Sequence, residues 1–181
     1  MPKWVVLVVV AALSVASPSY AGNGFSFTFQ GYNGEPLKLD QFEGKALLVV
    51  NTATECGFSE QFKHLETVWQ DRKDQGLVVV AVASNDFGGQ EPRSGEALAN
   101  YCERTYGISF PLTDRTPVIG DDAHPFYKWA AAQSGSAPRW NFHKYVVGRD
   151  GEVVAAFPSS VDPRSSQVAL AITAALKRPT R

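Results

Sequence analysis

Clustered positive charge is missing from this chain: 17 basic residues stand against 18 acidic ones, for a formal net charge of −1 and a pI near 6.3. Phosphate backbones are bound by concentrated Lys and Arg, so the charge pattern disfavours a nucleic-acid partner. Histidine is scarce. His64, His124 and His143 show no metal-ligand spacing and belong to no recognisable Cys-His hydrolase motif, so they are read as surface or structural residues, with no metal and no other cofactor expected. Cysteine is scarcer still, with Cys56 and Cys102 the only two. Repeats, low-complexity tracts and interdomain linkers are absent as well. With 44% hydrophobic residues, residues 22–181 are expected to form a single domain with its own core.

The N-terminus differs from the rest. Lys3 carries one positive charge, Trp4 to Ala16 is almost wholly apolar, and the small residues Ser19 and Ala21 fit a cleavage site after Ala21. Residues 1–21 thus have the shape of a signal peptide. An uncleaved anchor is the alternative, but the run is shorter than the ~20 residues a bilayer span needs, and no other stretch could cross a membrane. Cleavage would leave 16 basic against 18 acidic residues, a formal charge of −2, in an exported, periplasmic or secreted protein with no stable membrane anchor. In an oxidising compartment two cysteines invite a structural disulfide.

Phe25, Phe27 and Phe29 alternate with polar residues, Tyr32-Asn33-Gly34 supplies turn chemistry and Leu37-Lys38-Leu39 alternates again, which predicts a β-hairpin. Ala46 to Val50 and Leu77 to Val82 are short valine-rich runs without alternation, the pattern of strands buried on both faces. Between them Phe58, Phe62, Leu65 and Trp69 recur at helical spacing, with Ser59 a candidate cap. Further helices are expected from Ser94, a candidate cap, to about Tyr106, from Pro125 onward, and from Asp162-Pro163 through Val168, Ile172 and Leu176. Asp150-Gly151 joins two more strands. The fold class is α/β: a central mixed β-sheet with helices on both faces, similar to the thioredoxin-like fold.

Cys56 lies after the first buried strand and before the first helix, in Thr54-Glu55-Cys56-Gly57-Phe58. Free N–H groups at a helix start favour a thiolate, which is the nucleophilic form, and Gly57 leaves room beside the sulfur. A structural cysteine could occupy the same place. Likewise Asn85-Asp86-Phe87-Gly88-Gly89-Gln90-Glu91-Pro92 could be a surface turn, and the tryptophan of Trp140-Asn141-Phe142 could be core.

Taken together, Cys56-Gly57-Phe58, Phe87 to Pro92 and Trp140-Asn141-Phe142 resemble the glutathione peroxidase family in order and spacing. The resemblance runs from about Phe25 to about Leu176, through Gly107-Ile108-Ser109-Phe110-Pro111 and His124-Pro125-Phe126-Tyr127. It implies a thioredoxin-like fold in which Cys56, Gln90, Trp140 and Asn141 form the active site of a peroxidase. The residue chemistry agrees. Sulfur attacks one oxygen of a hydroperoxide while the other departs, and Gln, Asn and indole N–H groups are neutral donors that can stabilise both the thiolate and the departing oxygen without titrating near neutral pH.

The resemblance also implies that Cys102 resolves the Cys56 sulfenic acid as a disulfide, with a thioredoxin-like protein the favoured reductant and glutathione the other. The short span from Trp129 to Trp140 lacks an insertion similar to an oligomerisation segment of tetrameric members, so a monomer is expected. Helical spacing from Leu98 places Cys102 on a covered face, so that helix is expected to unwind before the sulfurs can meet. Two departures stand out: Asp86 where Gln is common, and Ser84 where some members carry Cys. An exported enzyme would need a reductant in its own compartment. The rival readings are a peroxide-sensing thiol oxidase or redox relay, and a non-catalytic thioredoxin-like module with a structural disulfide.

Overall fold

A computed structural model describes residues 22–180. The expected leader, with its cleavage point near Ala21, lies outside the described residues. The two valine-rich runs become the central strands, β3 (Ala46–Thr52) and β4 (Leu77–Ala83), which pair in parallel with every residue buried. Parallel neighbours need a crossover, which α1 (Gln61–Arg72) provides. β3 also pairs antiparallel with β5 (Lys144–Val147), and β5 with β6 (Val153–Phe157), so the mixed sheet has the order β4-β3-β5-β6. A separate antiparallel pair, β1 (Thr28–Gln30) and β2 (Pro36–Lys38), forms the expected N-terminal hairpin.

Strand alternation divides the core. Leu48, Val50, Val79, Ala81 and Val146 face α1, α2 (Gly95–Tyr106) and α4 (Ser166–Leu176), joining Phe62, Leu65, Leu98, Val168 and Ile172. Leu47, Val49, Val78, Val80, Tyr145 and Val147 face the other way, against α3 (Pro125–Ser134) and Phe29 of the hairpin. Leu65 and Leu98 are fully buried, so truncating either to Ala costs about 2–5 kcal/mol. Cys56 and Cys102 both belong to the first layer.

Helix ends depart from expectation in three places. Ser59 does not cap α1: the chain from Cys56 makes i→i+3 turns (Ser59 N–H to Cys56 O, 2.9 Å; Gln61 N–H to Phe58 O, 2.9 Å; Phe62 N–H to Ser59 O, 3.0 Å), so backbone carbonyls take the N–H groups a cap would satisfy. The helix begins only at Gln61, and Phe58 stays outside it, 36% exposed. Asp162-Pro163 does not open α4 either. The Asp162 carboxylate accepts the Arg164 N–H at 2.8 Å and its carbonyl accepts Ser165 N–H at 3.0 Å, making a turn before Ser166.

The start of α2 falls after Ser94 as expected, but the capping acceptor is Asp114 Oδ1, 3.0 Å from Gly95 N, and not the Ser94 hydroxyl. α3 has Pro125 at its first turn and His124 as cap, whose Nδ1 accepts the Phe126 N–H at 3.2 Å. His124 also reaches Thr28 O at 2.9 Å and stacks on Phe29, tying α3 to the hairpin.

Candidate active site

β3 ends at Thr52, and the loop that follows is held from beneath. Glu55 N–H donates to Gln90 O at 3.0 Å. The fully buried Glu91 carboxylate accepts Thr54 N–H and Thr54 Oγ1–H, each at 2.8 Å, and the Tyr106 hydroxyl donates to Thr54 O at 3.0 Å. Arg93 reaches Thr54 Oγ1 at 3.0 Å and Glu55 Oε1 at 3.1 Å while lying over the Tyr101 ring. Burial pushes the Glu91 carboxyl above the usual carboxylate range, against the Thr54 and Arg93 interactions that favour its charge. This network fixes the approach to Cys56, which is 4% exposed and whose Sγ accepts the Phe58 N–H at 3.4 Å. The side of Gly57 where a Cβ would stand is open.

Gly88 lets two other side chains converge. Its φ is +70°, and a Cβ there would lie 3.8 Å from Gln90 Cγ and 3.9 Å from Trp140 Cη2, so both side chains flank the same point. Trp140 is 39% exposed, its ring 5.7 Å from that of Phe87. Asn141 is fully buried and donates through Nδ2 to Gln90 Oε1 at 3.0 Å. Behind them Asn51 of β3 donates through Nδ2 to Trp140 O at 3.1 Å and accepts the Phe142 N–H at 2.6 Å. Phe142 holds a left-handed φ of 65° and Lys144 Nζ donates to its carbonyl at 2.6 Å.

Gln90, Trp140 and Asn141 are therefore brought together, and Gln90 is joined through its own backbone to the residue before Cys56. Their side chains make no hydrogen bond to Sγ among the described residues; the bond to the sulfur comes from the Phe58 backbone. Cys102 sits fully buried in α2, as its spacing from Leu98 implied, and burial together with the nearby Glu91 charge pushes its thiol up to about 12. Both cysteines are free thiols. Asp86 gains a specific use: Oδ2 accepts the N–H groups of Val118 at 2.6 Å and Ile119 at 3.2 Å, pinning the loop before α3.

Asn51 and Lys144 escaped the sequence reading, and Glu91 was legible only as a member of the Phe87–Pro92 motif, without its buried anchoring role. The signal of Asn51 and Lys144 is a polar residue beside an apolar run, which shows burial without showing the partner. His64 pairs with Asp162 at 2.8 Å, and His143 is buried with its pKa lowered to about 4 by desolvation and the adjacent Lys144.

The sequence model of glutathione peroxidase matches residues 25–131. A glutathione peroxidase-like peroxiredoxin of Chlamydomonas reinhardtii is 41% identical over 137 residues, 74% of this chain and 85% of that one. The crystal structure of Trgpx in apo form superposes with a TM-score of 0.73 at 33% identity, covering 89% of this chain and 99% of that chain. A thiol:disulfide interchange protein of the thioredoxin family from Chlorobium tepidum, at 22% identity and a TM-score of 0.59 over 85% of this chain and 95% of its own, shares the fold. With its mixed sheet between helical layers and its Cys56 loop clasped by Gln90 and Glu91, the chain belongs to the glutathione peroxidase family and has a thioredoxin-like fold.

Proposed function

We propose that this protein is a thiol-dependent peroxidase in which Cys56 reduces hydrogen peroxide and organic hydroperoxides. The observation that carries the reading is the convergence of Gln90, Trp140 and Asn141 beside a loop that Gln90 O ties to Glu55. The Cys56 thiolate attacks the terminal peroxide oxygen, the O–O bond breaks, and the other oxygen leaves with the electron pair and takes up a proton. Sulfur is oxidised by two electrons to a sulfenic acid, and the peroxide is reduced to water or an alcohol. Gln90 Nε2 and Trp140 Nε1, which have no acceptor among the described residues, are donors available to the departing oxygen.

Cys102 then attacks the sulfenic sulfur, forming the Cys56–Cys102 disulfide and releasing water. Cys102 is fully buried within α2, so the turn carrying it unwinds to bring the two sulfurs into disulfide geometry, which tolerates Cα atoms no more than about 7 Å apart. An external dithiol protein of thioredoxin type restores both thiols by exchange. The apolar leader of residues 1–21 supports export, and the short span between Trp129 and Trp140 supports a monomer.

Stopped-flow consumption of hydrogen peroxide by the reduced protein tests the reading. Cys56→Ser is expected to abolish the fast reaction, and Cys102→Ser to keep the first turnover while losing the disulfide. A Cys56→Ser protein that consumes peroxide at the wild-type rate would falsify it. Turnover with excess thioredoxin-like reductant separates a peroxidase from a stoichiometric relay.

A further inference from the structure

Lys144 lies in a strand whose other members are Tyr145, Val146 and Val147, and it is fully buried. Its Nζ turns back along the chain and donates to Phe142 O at 2.6 Å; no second acceptor is found for it among the described residues. An amine this deep with one partner is an expensive occupant of a core, where an unbranched apolar side chain would pack without desolvating a charge. Burial lowers its pKa to about 7, with Asp162 opposing the shift.

The group it holds is unusual as well. Phe142 is the one non-glycine residue with positive φ among the described residues, and a bulky side chain adopts that conformation only where its surroundings over-determine it. Three contacts do so. Its ring is fully buried and meets Phe62 edge-on at 5.3 Å, its N–H is taken by Asn51 O, and its carbonyl is taken by Lys144. The left-handed residue lies two positions before β5 and places the Phe142 ring in the core while Asn141, directly before it, meets Gln90.

We propose that Lys144 is a positioning residue of the peroxidase site: its bond to the Phe142 carbonyl locks the left-handed turn that presents Asn141 to Gln90. The inference rests on the peroxidase reading of Gln90 and Asn141. Lys144 does not touch the reacting atoms, and it acts only through the turn. A lysine kept merely for stability would behave differently, because replacing it would lower the rate only as far as it loosened the fold.

The test is Lys144→Met, alone and combined with Asn141→Ala, read by the single-turnover rate of Cys56 oxidation with hydrogen peroxide and by thermal unfolding of the same samples. Lys144→Met is expected to slow oxidation about tenfold to a hundredfold, the scale of a misplaced reacting group. Its unfolding midpoint is expected to match or exceed the wild-type value. In the Asn141→Ala background the same substitution is expected to change the rate less than about twofold, because coupled residues are not additive. Lys144→Met oxidised as fast as wild type overturns the inference while leaving the peroxidase reading intact. So does a rate loss matched by a fallen midpoint or an unfolded variant, or a full further loss in the Asn141→Ala background. A wild-type protein whose Cys56 is not oxidised overturns the peroxidase reading, and this inference with it.

Discussion

Asn141 Nδ2 donates to Gln90 Oε1 at 3.0 Å, joining the segment after β4 to the segment before β5. The bond occupies the acceptor end of the Gln90 amide, so its Nε2 is the end left to donate. Each of the two side chains orients the other, and their contributions should not be independent. Gln90→Ala and Asn141→Ala are each expected to slow Cys56 oxidation by about 10²–10³-fold, the usual loss for one preorganised donor. The double variant is expected to fall short of the product by at least about 0.5 kcal/mol. Single-turnover kinetics on the four proteins measure this, and strictly multiplicative losses would contradict the coupling.

Glu91 is the buried anchor of the Cys56 loop, accepting Thr54 N–H, Thr54 Oγ1–H and, at 3.3 Å, the Arg93 N–H. Removing it strands the two buried Thr54 donors where water does not reach. Glu91→Ala is expected to destabilise the protein by about 1–3 kcal/mol in urea titrations and to slow peroxide reduction, as the loop is freed. An unchanged urea midpoint would show that the loop is held by other contacts.

Cys102 has a thiol pushed up to about 12 and no exposed surface, so in the reduced protein it is neutral and covered. Iodoacetamide at neutral pH should therefore modify Cys56 well before Cys102, read by peptide mass spectrometry. After one equivalent of peroxide, the amides of α2 should lose hydrogen-exchange protection as the helix opens. Equal protection of Gly95–Tyr106 in the two states would rule out the unwinding.

Lys144 makes stability depend on pH with a definite sign. Burial lowers its pKa from 10.5 to about 7, so between those values the unfolded chain binds the proton that the folded chain has released. Its penalty is full below pH 7 and fades as pH rises toward 10.5. The groups around it are Asp162, which favours its charge and is itself bonded by Arg164 and His64, and His143, which titrates lower, near 4. From pH 7 to 10 the stability advantage of Lys144→Met over wild type should shrink, by at most about 4 kcal/mol. Urea midpoints across that range measure it, and a pH-independent difference would place the amine in a more solvated setting than its burial implies.

The sequence by itself determines the elements whose cause is local. Valine-rich runs at 46–52 and 77–83 can be satisfied only by strands covered on both faces, and Gly107, Pro125 and Asp150-Gly151 mark ends and turns through their own backbone preferences. The motif residues Cys56, Gln90, Trp140 and Asn141 were legible because their spacing is similar to that of a family. Tertiary structure decided what depends on partners far along the chain. It chose Asp114 over the Ser94 hydroxyl as the cap of α2, replaced a Ser59 cap with backbone turns, and paired Asn51 with Trp140 across 89 positions. It also left the Cys56 sulfur with the Phe58 N–H in place of the expected side-chain donors, and put both thiols, unpaired, in one apolar layer. A buried polar residue declares in sequence only that it needs a partner; which group meets it is settled when distant segments pack and exclude water.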